Sequence, residues 1–355
     1  MRTPSFPTFF IPLLLFGISG AEAQTRSWSS RLHVSWVGDN NVYETVSGPR
    51  SDQMGRLLFE TSVQCPVGSR IRFFLEYSLG GEVYVEQNDE NRLVNDGRAL
   101  FRFALNRRLD LDLDLEIRDK SFFEISRGYL WTMASASLRQ TVAAGWRIGI
   151  FAQYSFMDDK QGRGFDSANP AAGVLLEAVP SPAFRGSVAV KTGLMEFERH
   201  AFRYEQMDSY IFQWIDLGKS QVDRFWEGTI QAEWYGWALL RIGASYCRNV
   251  SNSYGYAYEV PEIHLLGAKT LPWRMTVRVF AGLQWKTYTD PLQPFLQIRP
   301  DTEIEENNTL VIDLSRDFDN GWAIVFRSAW YQNESPFRNS YYKKRTLGVG
   351  ITKRF

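Results

Sequence analysis

The stretch RLDLDLDLEIRDK, residues 108–120, restricts the fold of this chain more than any other. Leu109, Leu111, Leu113, Leu115 and Ile117 alternate there with Asp110, Asp112, Asp114 and Glu116. Successive side chains of a strand point to opposite faces, so this strand has one aliphatic face and one anionic face. The same period recurs along the chain. In PWRMTVRVFAGLQWK, Trp273, Met275, Val277, Val279, Ala281, Leu283 and Trp285 oppose Arg274, Thr276, Arg278, Gln284 and Lys286. In WEGTIQAEW, Trp226, Ile230, Ala232 and Trp234 oppose Glu227, Thr229, Gln231 and Glu233. GWRIGIFAQYSF and GWAIVFRSAWY repeat the pattern, the latter between Trp322 and Trp330.

The tryptophans decide between two settings for such strands. An indole favours the membrane interface, with its ring in the apolar zone and its N–H wet. Trp226 and Trp234, Trp273 and Trp285, and Trp322 and Trp330 each bracket one apolar stripe. A soluble sandwich has no use for Trp at both edges of a strand, whereas a membrane barrel sets aromatic girdles there. No apolar run after residue 23 reaches the ~18 residues of a membrane helix, so any crossing is made by strands. The fold expected is therefore all-β, a transmembrane antiparallel up-and-down β-barrel.

The ends of the sequence agree with export. MRTPSFPTFFIPLLLFGISGAEAQ carries Arg2, an apolar core and the triplet Ala21-Glu22-Ala23, the pattern of a secretory signal peptide cleaved before Gln24. Residues 1–23 are read as that peptide and 24–355 as the barrel.

Sixteen strands are expected, at 28–37, 54–65, 69–79, 98–106, 109–118, 128–139, 145–156, 171–179, 184–194, 223–235, 237–248, 258–269, 273–286, 308–316, 321–331 and 341–355. Short connections alternate with long ones, as periplasmic turns alternate with external loops in outer-membrane barrels. An even count puts both termini in the periplasm. Segment 195–222 leaves the count open: it reads as a hairpin rising above the membrane, as two added strands giving eighteen, or as a constriction folded into the lumen. Fourteen strands is the lower bound. On this topology Cys65 and Cys247 lie at opposite ends of the barrel and stay free, because a disulfide needs Cα atoms within about 7 Å.

The opening question of one aliphatic and one anionic face now has an answer. Leucines face lipid, and Asp110, Asp112, Asp114 and Glu116 face a wet lumen, joined there by Arg102, Arg274, Arg278 and Arg327. Matching faces across the short turn puts Arg102 opposite Asp112 or Asp114. Strand 109–118 is an acidic stripe and strand 273–286 a basic one. The stripes either set a transverse field across a pore or merely hydrate the interior. Leu113→Arg should cost about 2–4 kcal/mol at the bilayer midplane, and Asp112→Arg far less.

Chemistry beyond passage has little support. Forty basic and forty acidic residues cancel, and no basic cluster points to nucleic acid. Two Cys and three His form no ligand pattern, so no metal or cofactor is expected. His33 with Ser35, His264 with Glu262, and His200 beside Glu198 and Glu205 match no nucleophile motif, so no catalytic residue and no enzyme is expected. Asp158-Asp159 and DTEIEEN (301–307) are loop acidic clusters, fit for solvation or for divalent cations and lipopolysaccharide.

The last strand, KKRTLGVGITKRF, resembles the closing strand of bacterial outer-membrane β-barrels, whose terminal aromatic, here Phe355, is read by the barrel-insertion machinery. Lys353 departs from that pattern, which keeps an apolar or aromatic residue there. Two stretches, GDNNVYE (38–44) and NESPFRNSYYKKRTLGVGITKRF (333–355), are similar to a porin-like barrel family of exopolysaccharide export and of surface-lipoprotein assembly modifiers. The resemblance implies architecture and carries over no functional residue. The function expected first is an outer-membrane channel of a Gram-negative bacterium, passing small hydrophilic solutes, with membrane lipid and lipopolysaccharide around it. Two others stay open: a partner-dependent exporter or anchor for a surface polymer or protein, and a non-transporting surface-binding barrel acting through Tyr-rich loops such as NSYGYAY (252–258).

Overall fold

The structure, a computed structural model, describes residues 27–45, 48–125, 127–160, 166–208, 211–290, 308–333 and 342–355. The segment read as a signal peptide and the acidic stretch 301–307 lie outside them.

Period-two patterning produces strands throughout. β1 (Ser27–Asp39) pairs on one side with β2 (Asp52–Val67) and on the other with β17 (Tyr342–Arg354), which closes the sheet into a barrel. Between them run β3 (Ile71–Tyr84), β4 (Arg92–Ala104), β5 (Leu109–Phe122), β6 (Gly128–Ala143), β7 (Trp146–Asp159), β8 (Ser167–Ser181), β9 (Phe184–Asp208), β10 (Ile211–Tyr235), β11 (Leu239–Ser251), β12 (Tyr258–Leu271), β13 (Met275–Gln284), β14 (Thr287–Tyr288), β15 (Asn308–Asp317) and β16 (Trp322–Asn333). Every pairing is antiparallel, and apart from the closing β1–β17 pair and those around the short β14 each joins chain neighbours. The two-residue β14 continues β13 along the same edge of β12, so the segments make sixteen staves. Closure leaves no sheet edge, the condition for a sheet to sit in lipid.

Segment 195–222 resolves as the tall hairpin. β9 and β10 run 25 residues each, against 13 to 16 in β1 to β8, and pair to Ile211↔Asp208 through three register shifts. The strands also run further into 80–97 than the apolar stripes indicate. Above the apolar band both faces meet water, so the alternation fades while the backbone ladder continues.

Register sets the faces. Arg102 stands opposite Asp112 and Phe103 opposite Leu111, and the turn between them closes with Leu105 N donating to Leu109 O at 2.9 Å. Outward positions carry the exposed apolar residues, among them Leu113, Leu115, Ile150, Ile230 and Ile351. Trp28 and Trp36 on β1, Trp226 and Trp234 on β10, and Trp322 and Trp330 on β16 are each eight residues apart. That is about 26 Å along a strand, or about 20 Å of bilayer at the tilt of such barrels.

Candidate functional site: the lumen and its folded-in mouth

Inside the barrel the strand-to-strand register turns the acidic stripe of β5 into a set of ion pairs. Arg98 Nε lies 3.0 Å from Asp114 and 3.3 Å from Glu116. Arg102 meets Asp112 at 2.9 Å. Arg139 of β6 also meets Asp112, then Glu177 of β8 at 3.3 Å, and Arg147 of β7 reaches the same Glu177 at 3.1 Å. Four carboxylates two residues apart would repel on one strand, and these guanidiniums, supplied mostly by the neighbouring strands, offset that. The stripe is neutralised beside itself, which removes most of a field directed across the pore. Asp112 is also almost fully buried between two arginines. Asp112→Arg would set three guanidiniums together and is no mild change, contrary to the expectation from strand parity alone.

The basic stripe shrinks for a backbone reason. Pro272–Arg274 form the β12–β13 turn, with Trp273 at φ 61° and Arg274 at φ 58°. Arg274 therefore leaves the inner face. It is exposed at the short-turn end and pairs with Asp319 of the β15–β16 turn. Trp273 is highly exposed at the same rim, while Trp285 stands at the far end of its stave. Arg278 stays inside, 3.4 Å from Asp313, and Arg327 clasps Asp313 with two contacts at 2.7 and 2.9 Å.

Among the described residues, cavities of the lumen include the following. One of ≈ 680 Å³ crosses the inner wall of β1–β6, from the short-turn end of β1 toward the long-loop ends of β5 and β6, with Arg31, Arg98, Arg118 and Arg354 against Glu60, Glu76, Asp96 and Glu116. One of ≈ 690 Å³ lies by the short turns under β6–β10. The third, ≈ 410 Å³, sits higher, between β1–β4 and β13–β17, around His33, whose Nδ1 is 2.9 Å from Thr352 Oγ1. Gly350 makes this chamber possible: a Cβ there would sit 2.6 Å from His33 Cε1 and 2.7 Å from Ser35 Cβ.

Above Val37 of the chamber wall lies a roof, the start of the first long loop, 40–51. Val42 is buried against the inward-facing Val37, Met54 and Tyr84, so the loop folds into the mouth instead of standing above it. Asn41 carries the turn: its Nδ2 donates to Thr45 O at 2.9 Å and to Lys343 O at 3.0 Å, and its Oδ1 accepts from Thr45 N at 3.0 Å. Asn40 and Arg345 exchange two more bonds, at 3.2 and 2.7 Å. Lys344 Nζ reaches Asp39 Oδ2 and Glu44 Oε1, both at 3.2 Å. Burial alone would lower the ammonium pKa; the two carboxylates outweigh it and hold it above the ordinary lysine value. The two stretches GDNNVYE and NESPFRNSYYKKRTLGVGITKRF thus meet, forming one latch.

The remaining marked residues scatter. His200 pairs with Asp216 across the tall hairpin at 2.8 Å, and His264 lies over Gly243 on the inner wall. Cys65 and Cys247 are free. Asp158 and Asp159 fall on opposite faces of β7, and among the described residues no three His, Cys, Asp or Glu side chains converge on a metal position. Lys353, the departure in the closing strand, lays its ammonium over the Trp322 ring at 5.1 Å and donates to Asn320 O, a long stem on apolar surface with its charge at the rim. Phe355 N donates to Ser30 O at 3.0 Å. Tyr254 and Tyr256 of the Tyr-rich loop pack against the hairpin, Tyr254 on Tyr204 and Trp214, and Tyr256 under Arg199.

Arg31, Arg56, Arg92, Asp39 and Lys344 were not singled out by the sequence reading. The inner face of β2 carries Met54 and Leu58 beside Arg56, and the outer face carries Gly55, so the contrast that marks faces elsewhere is weak there. For Asp39 and Lys344 the signal was present in the quoted motifs, without an indication that they touch.

The sequence matches no family model and has no match among curated proteins. Solved structures do resemble it. OmpF of Salmonella typhi, in complex with daunomycin, is 9% identical and aligns over 93% of this chain and 97% of its own, with a TM-score of 0.52. An anion-selective porin from Comamonas acidovorans is 12% identical over 93% and 99%, with a TM-score of 0.49. A bacterial polysaccharide outer membrane secretin is 11% identical over 92% and 98%, with a TM-score of 0.44. At such identities the likeness is one of fold: this chain has the architecture of a Gram-negative outer-membrane porin-like β-barrel.

Proposed function

We propose that the chain is an outer-membrane channel for small hydrophilic solutes. The observation that carries this reading is the division of the barrel wall: a charged, ion-paired interior enclosing water-sized space, and an apolar exterior between tryptophan rims. Arg102, Asp110, Asp112, Asp114, Glu116, Arg278 and Arg327 are then the polar wall of the path. Trp226, Trp234, Trp273, Trp285, Trp322 and Trp330 serve as the aromatic girdle, residues 1–23 as the cleaved export signal, and Phe355 as the residue recognised at insertion. Discrimination would come from width and charge, with no bond made or broken. The test is single-channel conductance of the refolded full chain in a planar bilayer. Steady conductance is expected, and silence from correctly folded protein would overturn the reading.

A further inference from the structure

We infer that the chamber beneath the first loop is a binding station for small oxyanions, solutes bearing a phosphate or carboxylate group. The inference deepens the channel reading by naming the class of solute. Its first support is charge count. Arg31, Arg56, Arg92, Arg278 and Arg327 line the chamber with only Glu60 and Glu82, a formal excess of three positive charges. Asp313, behind Arg278 and Arg327, lowers the excess to two. The ≈ 680 Å³ cavity along β1–β6, by contrast, balances four arginines with four acidic side chains.

The second support is depth. Asp313 has an 8% exposed side chain, whereas Arg278 and Arg327 are 43% and 46% exposed. Glu82 is 11% exposed against 31% for Arg56. Glu82 and Asp313 sit back in the wall, each shared by two arginines: Arg56 Nε and Arg92 reach Glu82 at 2.6 and 2.7 Å, while the more exposed Glu60 pairs with Arg31. A guanidinium has five donors in a planar fork, and Arg278 and Arg327, each exposed beside the one carboxylate they share, keep part of that fork toward the chamber. Forks of this kind match phosphate and carboxylate oxygens two at a time.

The third support is enclosure. Val37 and the roof above it close the chamber on the long-loop side, Gly348 and Gly350 keep β17 free of side chains, and His33 and Thr352 supply further polar groups. A volume of ≈ 410 Å³ holds a phosphate or a small sugar acid with some water. Partial removal from bulk water strengthens the attraction over that of a surface cluster.

The test pairs two substitutions that leave each carboxylate one arginine. Arg56→Gln keeps Arg92 on Glu82, and Arg278→Gln keeps Arg327 on Asp313. Arg118→Gln, in the balanced cavity, is the control. Calorimetry with inorganic phosphate on the refolded full chain in detergent should give saturable binding at one site. Affinity should fall about tenfold for each guanidinium removed, stay unchanged in the control, and be absent for glucose. In bilayers, the reversal potential in a potassium chloride gradient should favour chloride and shift toward potassium in the double variant. Conductance without anion preference and without phosphate binding would overturn the inference and leave the channel standing. Absence of conductance would overturn the channel, and calorimetry would then decide the oxyanion site alone: binding lost in the double variant upholds it, and no binding sinks it.

Discussion

Two parts of the long-loop end leave the membrane band in opposite ways. Loop 40–51 turns inward over the lumen, and the β9–β10 hairpin climbs outward, roughly ten residues beyond its neighbours. The loop is held by burial and charge: Val42 in its small apolar pocket and Lys344 between two carboxylates. The hairpin is held by its own ladder and by the 252–257 loop, where Tyr254 packs on Tyr204 and Trp214, Tyr256 takes Arg199, and Asn252 bonds the backbone. Asn252 Oδ1 accepts from Val222 N at 2.8 Å, and its Nδ2 donates to Ser220 O at 3.1 Å, beside a register shift. A segment that folds into a narrow mouth loses water and must replace every contact with protein. A segment that stays in water needs only its backbone partners. The first should be brittle to single substitutions and the second tolerant.

Lys344→Met is the strongest way to break that contrast. It leaves Asp39 and Glu44 without their cation in a buried place, at a cost of about 3–5 kcal/mol. The refolded variant should unfold earlier in urea, lose protection of loop 40–51 against protease, and conduct more than the parent. An unchanged protease pattern would mean that the loop is held by its backbone bonds alone. Val42→Ala comes next. Removing most of a fully buried valine should cost about 1.5–3 kcal/mol and loosen the same loop with the Lys344 contacts still present. Protease mapping separates the two contributions.

Acid offers a probe of the loop sector that changes no residue. Asp52 is buried, which alone would raise its pKa, but the backbone N–H groups of Gln87, Glu86 and Gln53 outweigh this and hold it below the ordinary carboxylate value. A group whose pKa falls on folding stabilises the folded form above its unfolded value of about 3.9 and loses that contribution as pH drops through the lower folded value. Lys344 works in the other direction, with its contribution complete below about 10.4. Loop protection should therefore hold across the neutral range and fail only below about pH 4. Release near pH 6 would point to a group other than Asp52.

The same contrast explains what the sequence disclosed. Where one side of a stave touches lipid, as in β5, β13 or β16, the alternation is written in the residues, and even the Arg102–Asp112 pairing follows from matching faces across one turn. Arg274 escaped because two consecutive left-handed residues keep it in the turn, so the strand begins at Met275, two positions later than expected, and side-chain parity carries no trace of that. The inward fold of loop 40–51 rests on one valine and on contacts some 300 residues apart in sequence, so no local pattern encodes it. The tall hairpin was legible as one of three options, because a wet strand lacks the apolar stripe that sets the others apart. The chamber was least legible of all: its arginines lie on five staves and gain meaning only when the barrel closes.

The smallest expected effects belong to the hairpin. Asn252→Ala removes two partly wet hydrogen bonds, worth about 1 kcal/mol together, and should raise protease cutting near Ser220 with conductance unchanged. Asp216→Asn should do less still. Its pair with His200 is half exposed on both sides, and exposed pairs barely register in stability. The carboxyl is held below its ordinary pKa by the His200 hydrogen bond and the Gly218 N–H, so it is ionised at neutral pH and its replacement by an amide is a fair trial. Urea midpoints of parent and Asp216→Asn should coincide within error. A shift as large as that of Val42→Ala would mean that the hairpin, like the loop, depends on charge, and the distinction between brittle inward and tolerant outward segments would fail.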